Sequence, residues 1–179
     1  MKQIIVGLTG PKGVGKSTVA RAIDQQLGSD CKVISFAEGV YCIAAELSGL
    51  PLGRLRQKDE PFDERETIPS LVGKTPRWLL QTIGTEMVRD NIGPNVWVEL
   101  ALQKARDSMA PIIVVDDCRF PNEAKALGLV VKLRREGVSY TNEHVTETEL
   151  RDVHAIIDMT NLTPEQAAAE IIKISRGAR

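Results

Sequence analysis

The chain has 179 residues, a length that fits one domain and is short for two. Hydrophobic residues make up 42% of it and charged residues 26%, which excludes a disordered chain because enough apolar side chains are present to offset chain entropy. The 23 Lys and Arg residues balance 24 Asp and Glu residues, for a net charge of -1. A general nucleic-acid binder carries a basic excess, so we expect no nucleic-acid polymer as the main partner.

The apolar runs and the cysteines indicate the kind of compartment. Runs such as Ile112 to Val115 are too short to span a bilayer, and Ile4 to Leu8 is too short for the core of a signal peptide. Cys31, Cys42 and Cys118 are scattered and lack metal-ligand spacing, so we expect reduced thiols in a cytoplasmic protein with no membrane partner. The oligomeric state stays open, with a homodimer among the options.

Short apolar runs alternate with amphipathic segments, a pattern typical of strand–helix–strand units and a parallel sheet. Helical periodicity predicts a helix over Ser17 to Leu27, closed by Gly28, and a last helix from the capping box at Thr163 to about Ser175. Two charged stretches, Leu50 to Thr75 and Arg134 to Val153, read as irregular excursions rather than domain boundaries. The predicted strands are Ile4 to Leu8, Lys32 to Phe36, Ile112 to Val115, Leu129 to Leu133 and, more weakly, Ala155 to Met159.

The segment from Gly10 to Ser17 matches GxxxxGK[ST] at every fixed position, between a predicted strand and a predicted helix. Its glycines let the backbone curl closely around a phosphate, and the helix that follows directs its positive end at the anion. Lys16 supplies a charge for the β- and γ-phosphates, and Ser17 supplies a hydroxyl for Mg²⁺. The predicted nucleotide-binding residues are Gly10, Lys12, Gly13, Val14, Gly15, Lys16, Ser17 and Thr18.

Two carboxylates, Asp116 and Asp117, follow the buried run that ends at Val115. Ligands of open α/β sheets lie at the carboxyl ends of the strands, where an acid can hold Mg²⁺ directly or through water. We predict Asp117 together with Ser17 as the metal site, although the sequence leaves open which of the two acids serves. Arg119 has a guanidinium suited to bidentate phosphate binding; the alternative is a surface ion pair, for example with Glu123.

A further helix is predicted from the cap Thr75, and it carries a polar stripe of Arg77, Gln81, Thr85 and Arg89 on one side. Gly84 lies inside this helix at a cost of about 1 kcal/mol relative to Ala, which makes sense where something approaches closely. The spacing leaves open whether the stripe is a binding face or a solvated one. Trp97 begins the next helix, either stacking on a base or belonging to the core.

Together these segments resemble the bacteriophage-type deoxynucleoside monophosphate kinases. The match runs from near residue 3 to about residue 170 and includes Phe36-Ala37 and His144 to Glu147. The LLQ-x-x-GT segment ending at Thr85 and the D-x-R-F-P-N-E segment starting at Asp117 are more specific than the phosphate loop.

The resemblance implies an α/β P-loop kinase fold: a five-stranded parallel sheet flanked by helices, with a small lid. It implies a single domain over 1–179, with an acceptor-binding insertion at about 38–95 and the lid at about 134–153. The implied reaction transfers the γ-phosphoryl group of ATP, with Mg²⁺, to the 5′-phosphate of a dNMP, giving dNDP and ADP. It would take place in the cytoplasm, that of the host if the protein is phage-encoded.

The resemblance also assigns residues to roles. Lys16, Asp117 and Arg119 would be catalytic, with Asp117 and Arg119 also contacting the substrate, and Arg135 would belong to the lid over ATP. The implied acceptor-binding residues are Phe36, Ala37, Arg77, Gln81, Gly84, Thr85, Arg89 and Trp97.

This chain departs from the family pattern at three places. Relatives often have a Lys shortly after the Phe-Ala pair, whereas this chain has Glu38 to Tyr41. Glu136 stands where a Pro is common, and Thr146 replaces a common Ser, which is a mild change.

Three other functions compete. One is a P-loop kinase for a different small acceptor, of dephospho-CoA or phosphomevalonate type. The second is a nucleotide-dependent switch, disfavoured because a guanine-reading Asn-Lys-x-Asp motif is absent. The third is a catalytically idle binding module, disfavoured because Lys16, Ser17 and Asp117 are intact.

Overall fold

The computed structural model of the protein describes residues 3–57, 67–71, 73–140 and 149–178. Its strands are β1 Ile4–Thr9, β2 Cys31–Ile34, β3 Ile112–Val115, β4 Leu129–Arg134 and β5 Ala155–Asp158. Its α-helices are α1 Lys16–Leu27, α2 Glu38–Ser48, α3 Leu52–Arg56, α4 Pro76–Gln81, α5 Val96–Arg106, α6 Pro121–Ala126 and α7 Pro164–Gly177. A π-helix, Thr82–Asp90, continues directly from α4, and short 3₁₀ turns cover Gly28–Asp30 and Pro69–Leu71.

The five strands form one parallel sheet in the order β2-β3-β1-β4-β5. All five predicted strands are confirmed, because their β-branched runs suit strands buried on both faces. Every residue of β3 is buried, as expected for a strand with a neighbour on either side. Strand β2 ends at Ile34, so Ser35 and Phe36 lie beyond the paired part of the sheet.

Helices α1 and α7 pack together and cover one face of the sheet. Ile23 of α1 and Ile171 of α7 are almost fully buried in the same core cluster as Leu8 and Leu133, and each such side chain contributes about 1.5–3 kcal/mol. The capping box predicted at Thr163 is confirmed, because its hydroxyl accepts the Gln166 amide at 3.3 Å while the Gln166 side chain accepts the Thr163 amide at 2.9 Å.

The chain forms two compact units. The first unit holds the sheet, with the described residues up to Phe36 and from Ala101 onward. The second unit holds the residues from Ala37 to Leu100 and is helical, with α2, α3, α4 and the π-helix. The predicted cap of α4 is confirmed, since the Thr75 hydroxyl accepts the Trp78 amide at 3.1 Å.

Both predicted excursions contain some regular structure. In the first, α3 and an isolated bridge between Ile68 and Lys74 are present, while residues 58–66 and 72 lie outside the described residues. In the second, a tight turn brings Arg135 and Val138 together around Gly137, and residues 141–148 lie outside the described residues.

A membrane-spanning helix needs about 20 mostly apolar residues. Helix α7 has 14 residues, and none of the helices in the described ranges combines the length and the apolarity required to cross a bilayer.

The three cysteines are free thiols in different surroundings. Cys42 is exposed, whereas Cys31 and Cys118 are buried. Burial, with a smaller contribution from Asp24, raises the pKa of Cys31 from 9.0 to about 12. Burial likewise raises the pKa of Cys118 far above its ordinary value.

We therefore expect iodoacetamide to label the native protein at pH 8 on Cys42 alone, because the buried thiols are neither accessible nor ionised. Mass spectrometry after a short exposure measures the number of adducts, and the Cys42→Ser variant should show none. Rapid labelling of Cys31 or Cys118 in folded protein would contradict this burial.

The same burial predicts a pH dependence of stability. The pKa of Cys31 is higher in the folded chain than in the unfolded chain, so its contribution to stability is complete below pH 9 and is lost as the pH rises toward about 12. Urea unfolding at pH 8, 9 and 10 should show a decreasing free energy of unfolding, and the decrease should be smaller in Cys31→Ala.

Candidate active site

The phosphate loop leads from β1 into α1, as the sequence predicts. Gly10, Gly13 and Gly15 have φ angles of 142°, 82° and 105°, a left-handed range that side chains with a Cβ rarely adopt. Gly15 is the N-cap residue of α1, whose first turn carries no acidic residue, so the helix presents its first amides and its positive end to the loop. The backbone is therefore arranged to bind an anion.

One residue of the phosphate loop packs into the core, while other residues of the loop segment are exposed. Val14 is fully buried, while Lys12 and Thr18 are exposed. The Lys16 ammonium donates to the carbonyls of Gly10 at 2.6 Å and Pro11 at 2.8 Å, which holds its charge at the start of the loop. Lys16 is thus placed beside the main-chain amides that would receive a phosphate.

The two consecutive carboxylates after β3 serve different neighbours. The Ser17 hydroxyl donates to Oδ2 of Asp116 at 2.6 Å. Asp117 instead accepts the Ser35 hydroxyl at 2.6 Å and the Phe36 amide at 2.9 Å. Because β3 lies between β1 and β2, one carboxylate contacts the segment after β1 and the other contacts the segment after β2.

This geometry bears on the choice between the two acids, which the sequence left open. The sequence analysis paired Ser17 with Asp117 as the metal site, whereas the structure places the Ser17 hydroxyl against Asp116. The metal site itself stays a prediction. Asp116 and Asp117 lie in the turn that follows β3, where the two consecutive carboxylates contact different segments. Which of the two faced β1 depended on the sheet order and was not encoded in the local sequence.

Arg119 and Glu123 lie where the chain turns into α6. The Arg119 side chain is exposed, and its backbone amide donates to the Glu123 carboxylate at 2.7 Å. The Phe120 amide donates to the same oxygen at 2.9 Å. Glu123 is almost fully buried, so its carboxylate organises this turn, a role that the sequence analysis did not assign.

A cavity of about 590 Å³ lies where β4 and β5 leave the sheet. Asp158 accepts Arg134 Nε at 3.0 Å and the Thr160 hydroxyl at 2.6 Å, and the Thr160 hydroxyl in turn accepts the Glu136 amide at 3.0 Å. The lining residues are Arg134, Arg135, Glu136, Asp158, Thr160 and Asn161. Of these, the sequence analysis assigned Arg135 to the site; the available signal for the others was their position in or just after the predicted strands Leu129 to Leu133 and Ala155 to Met159.

The electrostatics of this cavity keep a carboxylate ionised next to arginines. Hydrogen bonds from Thr160, with a smaller effect of Arg134, lower the pKa of Asp158 below its usual range. Arg135 Nε is buried and has no hydrogen-bond partner among the described residues. Arg135 therefore lines the cavity and carries a buried donor that no described group satisfies.

In the second unit, Trp97 joins three helical elements. Its indole N–H donates to the Gly84 carbonyl of the π-helix at 2.9 Å, and a Cβ on Gly39 would lie 2.5 Å from its ring. Gly84 in turn approaches Val40 of α2. Trp97 is only 6% exposed, and the short Cβ distance at Gly39 explains why a glycine lies against its ring. Its contact with a base stays a prediction.

The predicted polar stripe runs through a change of helix type. Arg77, in α4, is exposed, while Gln81, Thr85 and Arg89 are half-buried. The wider π-helical turn begins after Gln81, and such segments occur frequently at functional sites. No residue pattern in the sequence indicated it.

Two further features concern the neighbourhood of Ala37. Glu38, the first residue of α2, forms an ion pair with Arg56 of α3 that the sequence did not indicate. Ala37 itself is half-buried at the start of α2. The predicted His144 to Glu147 segment lies outside the described residues.

Solved structures show the same fold. The TT1252 protein of Thermus thermophilus matches with a TM-score of 0.57 and 17% identity, over 98% of each chain. Dephospho-CoA kinase of Campylobacter jejuni matches with a TM-score of 0.51 and 16% identity, also over 98% of each chain. The sheet order, the phosphate loop and these likenesses define an α/β protein with the P-loop kinase fold, as predicted.

Proteins of similar sequence indicate which kind of P-loop kinase the chain resembles. A protein of Acanthamoeba polyphaga mimivirus that carries the name deoxynucleotide monophosphate kinase is 33% identical, over 94% of each chain. The deoxynucleoside-5'-monophosphate kinase of Escherichia phage T5 is 25% identical, over 69% of this chain and 71% of its own length. No family model matches the chain. The chain belongs to the deoxynucleotide monophosphate kinase family, which confirms the resemblance found in the sequence.

The loop geometry predicts unequal effects of two alanine substitutions. A Cβ at Gly10 would lie 2.4 Å from the Leu133 carbonyl oxygen, whereas a Cβ at Gly13 would meet nothing within 4 Å. We expect Gly13→Ala to cost about 1–2 kcal/mol through its left-handed backbone alone. We expect Gly10→Ala to cost about 3 kcal/mol or more, because a main-chain clash is added. Urea denaturation measures both, and equal losses would contradict the close approach of β4 to Gly10.

Proposed function

We propose that this family member transfers the γ-phosphoryl group of ATP to the 5′-phosphate of a deoxynucleoside monophosphate, giving dNDP and ADP. The observation that carries the proposal is the arrangement of Lys16, Ser17 and Asp116 around a phosphate loop, in a chain of this family. ATP and dNMPs are intracellular metabolites, so the cytoplasm is the proposed place of action.

The donor nucleotide binds along the first unit in this proposal. The amides of the loop and of the first turn of α1 receive its phosphates, and Lys16 adds a positive charge beside them. The cavity at the ends of β4 and β5 takes the nucleoside part, where the unsatisfied Arg135 Nε can donate a hydrogen bond. Arg135 then belongs to the ATP site, as the family resemblance implies.

The residues present fit a magnesium ion. Ser17 and Asp116 supply two hard oxygen atoms 2.6 Å apart at the end of the phosphate loop, the kind of ligand that Mg²⁺ takes together with phosphate oxygens and water. Among the described residues there is no cluster of three or more His, Cys, Asp or Glu suited to a metal, which agrees with a site that the nucleotide completes. When bound, the ion would neutralise charge on the transferred group.

The acceptor-binding insertion at about 38–95 lies within the second unit in this proposal. Its half-buried residues Gln81, Gly84, Thr85 and Arg89 combine a cation with hydrogen-bonding groups, which suits a phosphorylated sugar and base. The acceptor residues that the resemblance implies, and that we propose, are Phe36 in the first unit and, in the second unit, Ala37, Arg77, Gln81, Gly84, Thr85, Arg89 and Trp97.

The acceptor atom is a phosphate oxygen, which is already anionic, so no strong general base is required. Catalysis then consists of alignment and charge neutralisation by Lys16 and Arg119, with the lid at about 134–153 excluding water that would otherwise hydrolyse ATP. The transfer therefore depends on the positive charges of Lys16 and Arg119 and not on a proton acceptor.

The decisive experiment supplies the purified chain with Mg-ATP and each of the four dNMPs and four NMPs, following ADP and the product by chromatography. We expect stoichiometric ADP and dNDP with at least one dNMP. Dephospho-CoA and phosphomevalonate serve as competing acceptors in the same assay. Turnover with one of these alone, or slow ATP hydrolysis that no acceptor stimulates, would contradict the proposal.

Removing the loop cation tests the donor site. Lys16→Ala should lower kcat by about 10²- to 10³-fold or more, because the charge on the transferred phosphoryl group loses its stabiliser. Lys173→Ala, which removes an exposed lysine of α7, is the matched control and should keep wild-type rates. Circular dichroism should show both variants folded, and wild-type turnover in Lys16→Ala would refute the proposed phosphate site.

A further inference from the structure

We infer that Ser35 and Asp117 form a clamp that positions the acceptor-side residue Phe36, and that Asp117 acts through this clamp rather than as a metal ligand. The inference rests on the proposed kinase function, because that function makes Phe36 an acceptor residue. Nothing in the sequence singled out Ser35.

The clamp provides a hydrogen-bond acceptor for the Phe36 backbone amide, which has no partner strand because it lies beyond the end of β2. Strand β2 ends at Ile34, so the Phe36 amide lies outside the paired part of the sheet. Asp117 Oδ1 accepts this amide at 2.9 Å, and its Oδ2 accepts the Ser35 hydroxyl at 2.6 Å. Phe36 and Asp117 are only 5% and 8% exposed, and hydrogen bonds to a buried carboxylate are stronger than neutral ones.

The neighbouring carboxylate already supplies the metal-side contact. Asp116 accepts the Ser17 hydroxyl at the end of the phosphate loop, on the β1 side of β3. Asp117 contacts the β2 side, where the Phe36 backbone needs a partner. The two adjacent residues therefore have different roles. Asp116 contacts the phosphate loop on the donor side, and Asp117 holds the Ser35–Phe36 segment on the acceptor side.

The chemistry of the reaction supports this division. Both substrates carry phosphate charge, so a carboxylate directed at the acceptor would repel it. The Asp117 oxygens instead accept hydrogen bonds from a hydroxyl and an amide of the protein, so its negative charge is stabilised within the fold. An Asn at this position could keep both contacts, because its oxygen can accept the Phe36 amide while its NH₂ donates to the Ser35 hydroxyl.

The kinetic test compares conservative and truncating variants with Mg-ATP and the preferred dNMP. Asp117→Ala and Ser35→Ala should raise KM for the dNMP by about 5- to 10-fold while moving KM for ATP by less than about 2-fold. Asp117→Asn and Ser35→Thr should restore KM for the dNMP to within about 3-fold of wild type, because they keep hydrogen-bonding atoms in place. Asp116→Asn is the matched comparison, and it should instead raise the Mg²⁺ concentration required for half-maximal rate.

A contrary result has a distinct form. If Asp117→Asn is as impaired as Asp117→Ala, or if it shifts the Mg²⁺ requirement as Asp116→Asn does, the negative charge itself is needed and the clamp inference is overturned. A uniform loss of kcat with an unchanged KM for the dNMP overturns it as well.

A second measurement needs no turnover. Amide hydrogen exchange by NMR on the full chain should show the Phe36 amide protected in wild type and in Asp117→Asn, and exchanging faster in Asp117→Ala. If wild type phosphorylates no dNMP, the proposed function falls while the exchange data still decide whether the clamp exists. Equal Phe36 exchange in wild type and Asp117→Ala, with dNMP turnover intact, overturns the clamp and leaves the proposed function standing.

Discussion

The position of β3 between β1 and β2 is the constraint on which the rest of the site depends. A parallel sheet brings all carboxyl ends of its strands to one edge, and this order sets the exit of β3 between the phosphate loop and the Ser35–Phe36 segment. Asp116 and Asp117 can therefore contact the segments after β1 and β2, respectively. A different strand order would separate these groups even with every local element intact.

The phosphate loop shows how packing energy maintains an anion-binding conformation. Val14 is buried in the same core as α1 and α7, which holds the loop down while its glycines keep left-handed angles. Gly10 meets the Leu133 carbonyl so closely that no side chain fits. The stability of the core thus supports a backbone conformation that would be unfavourable in isolation, and that conformation presents amides to a phosphate.

The second unit is held together around the buried side chain of Trp97. Its π-helix carries part of the polar stripe, and the indole N–H of Trp97 binds the Gly84 carbonyl within it. A glycine at position 39 lets this large ring lie against α2. Gly84 and Trp97, to which the family resemblance assigns acceptor binding, therefore also hold this unit together.

The sequence by itself determined the strands, the phosphate loop, the helix caps and the family, because each depends on residues close together in the chain. Apolar β-branched runs, GxxxxGK[ST] and the Thr163 capping box report local hydrogen bonding and periodicity. The tertiary structure decided that Asp116 meets Ser17, that Asp117 meets Ser35, and that Asp158 meets Arg134. Those partners are far apart in the chain: Ser17 and Asp116 are 99 residues apart, Ser35 and Asp117 are 82 apart, and Arg134 and Asp158 are 24 apart. No local pattern specifies which neighbour a strand-end side chain meets, since that follows from the order of strands in the sheet.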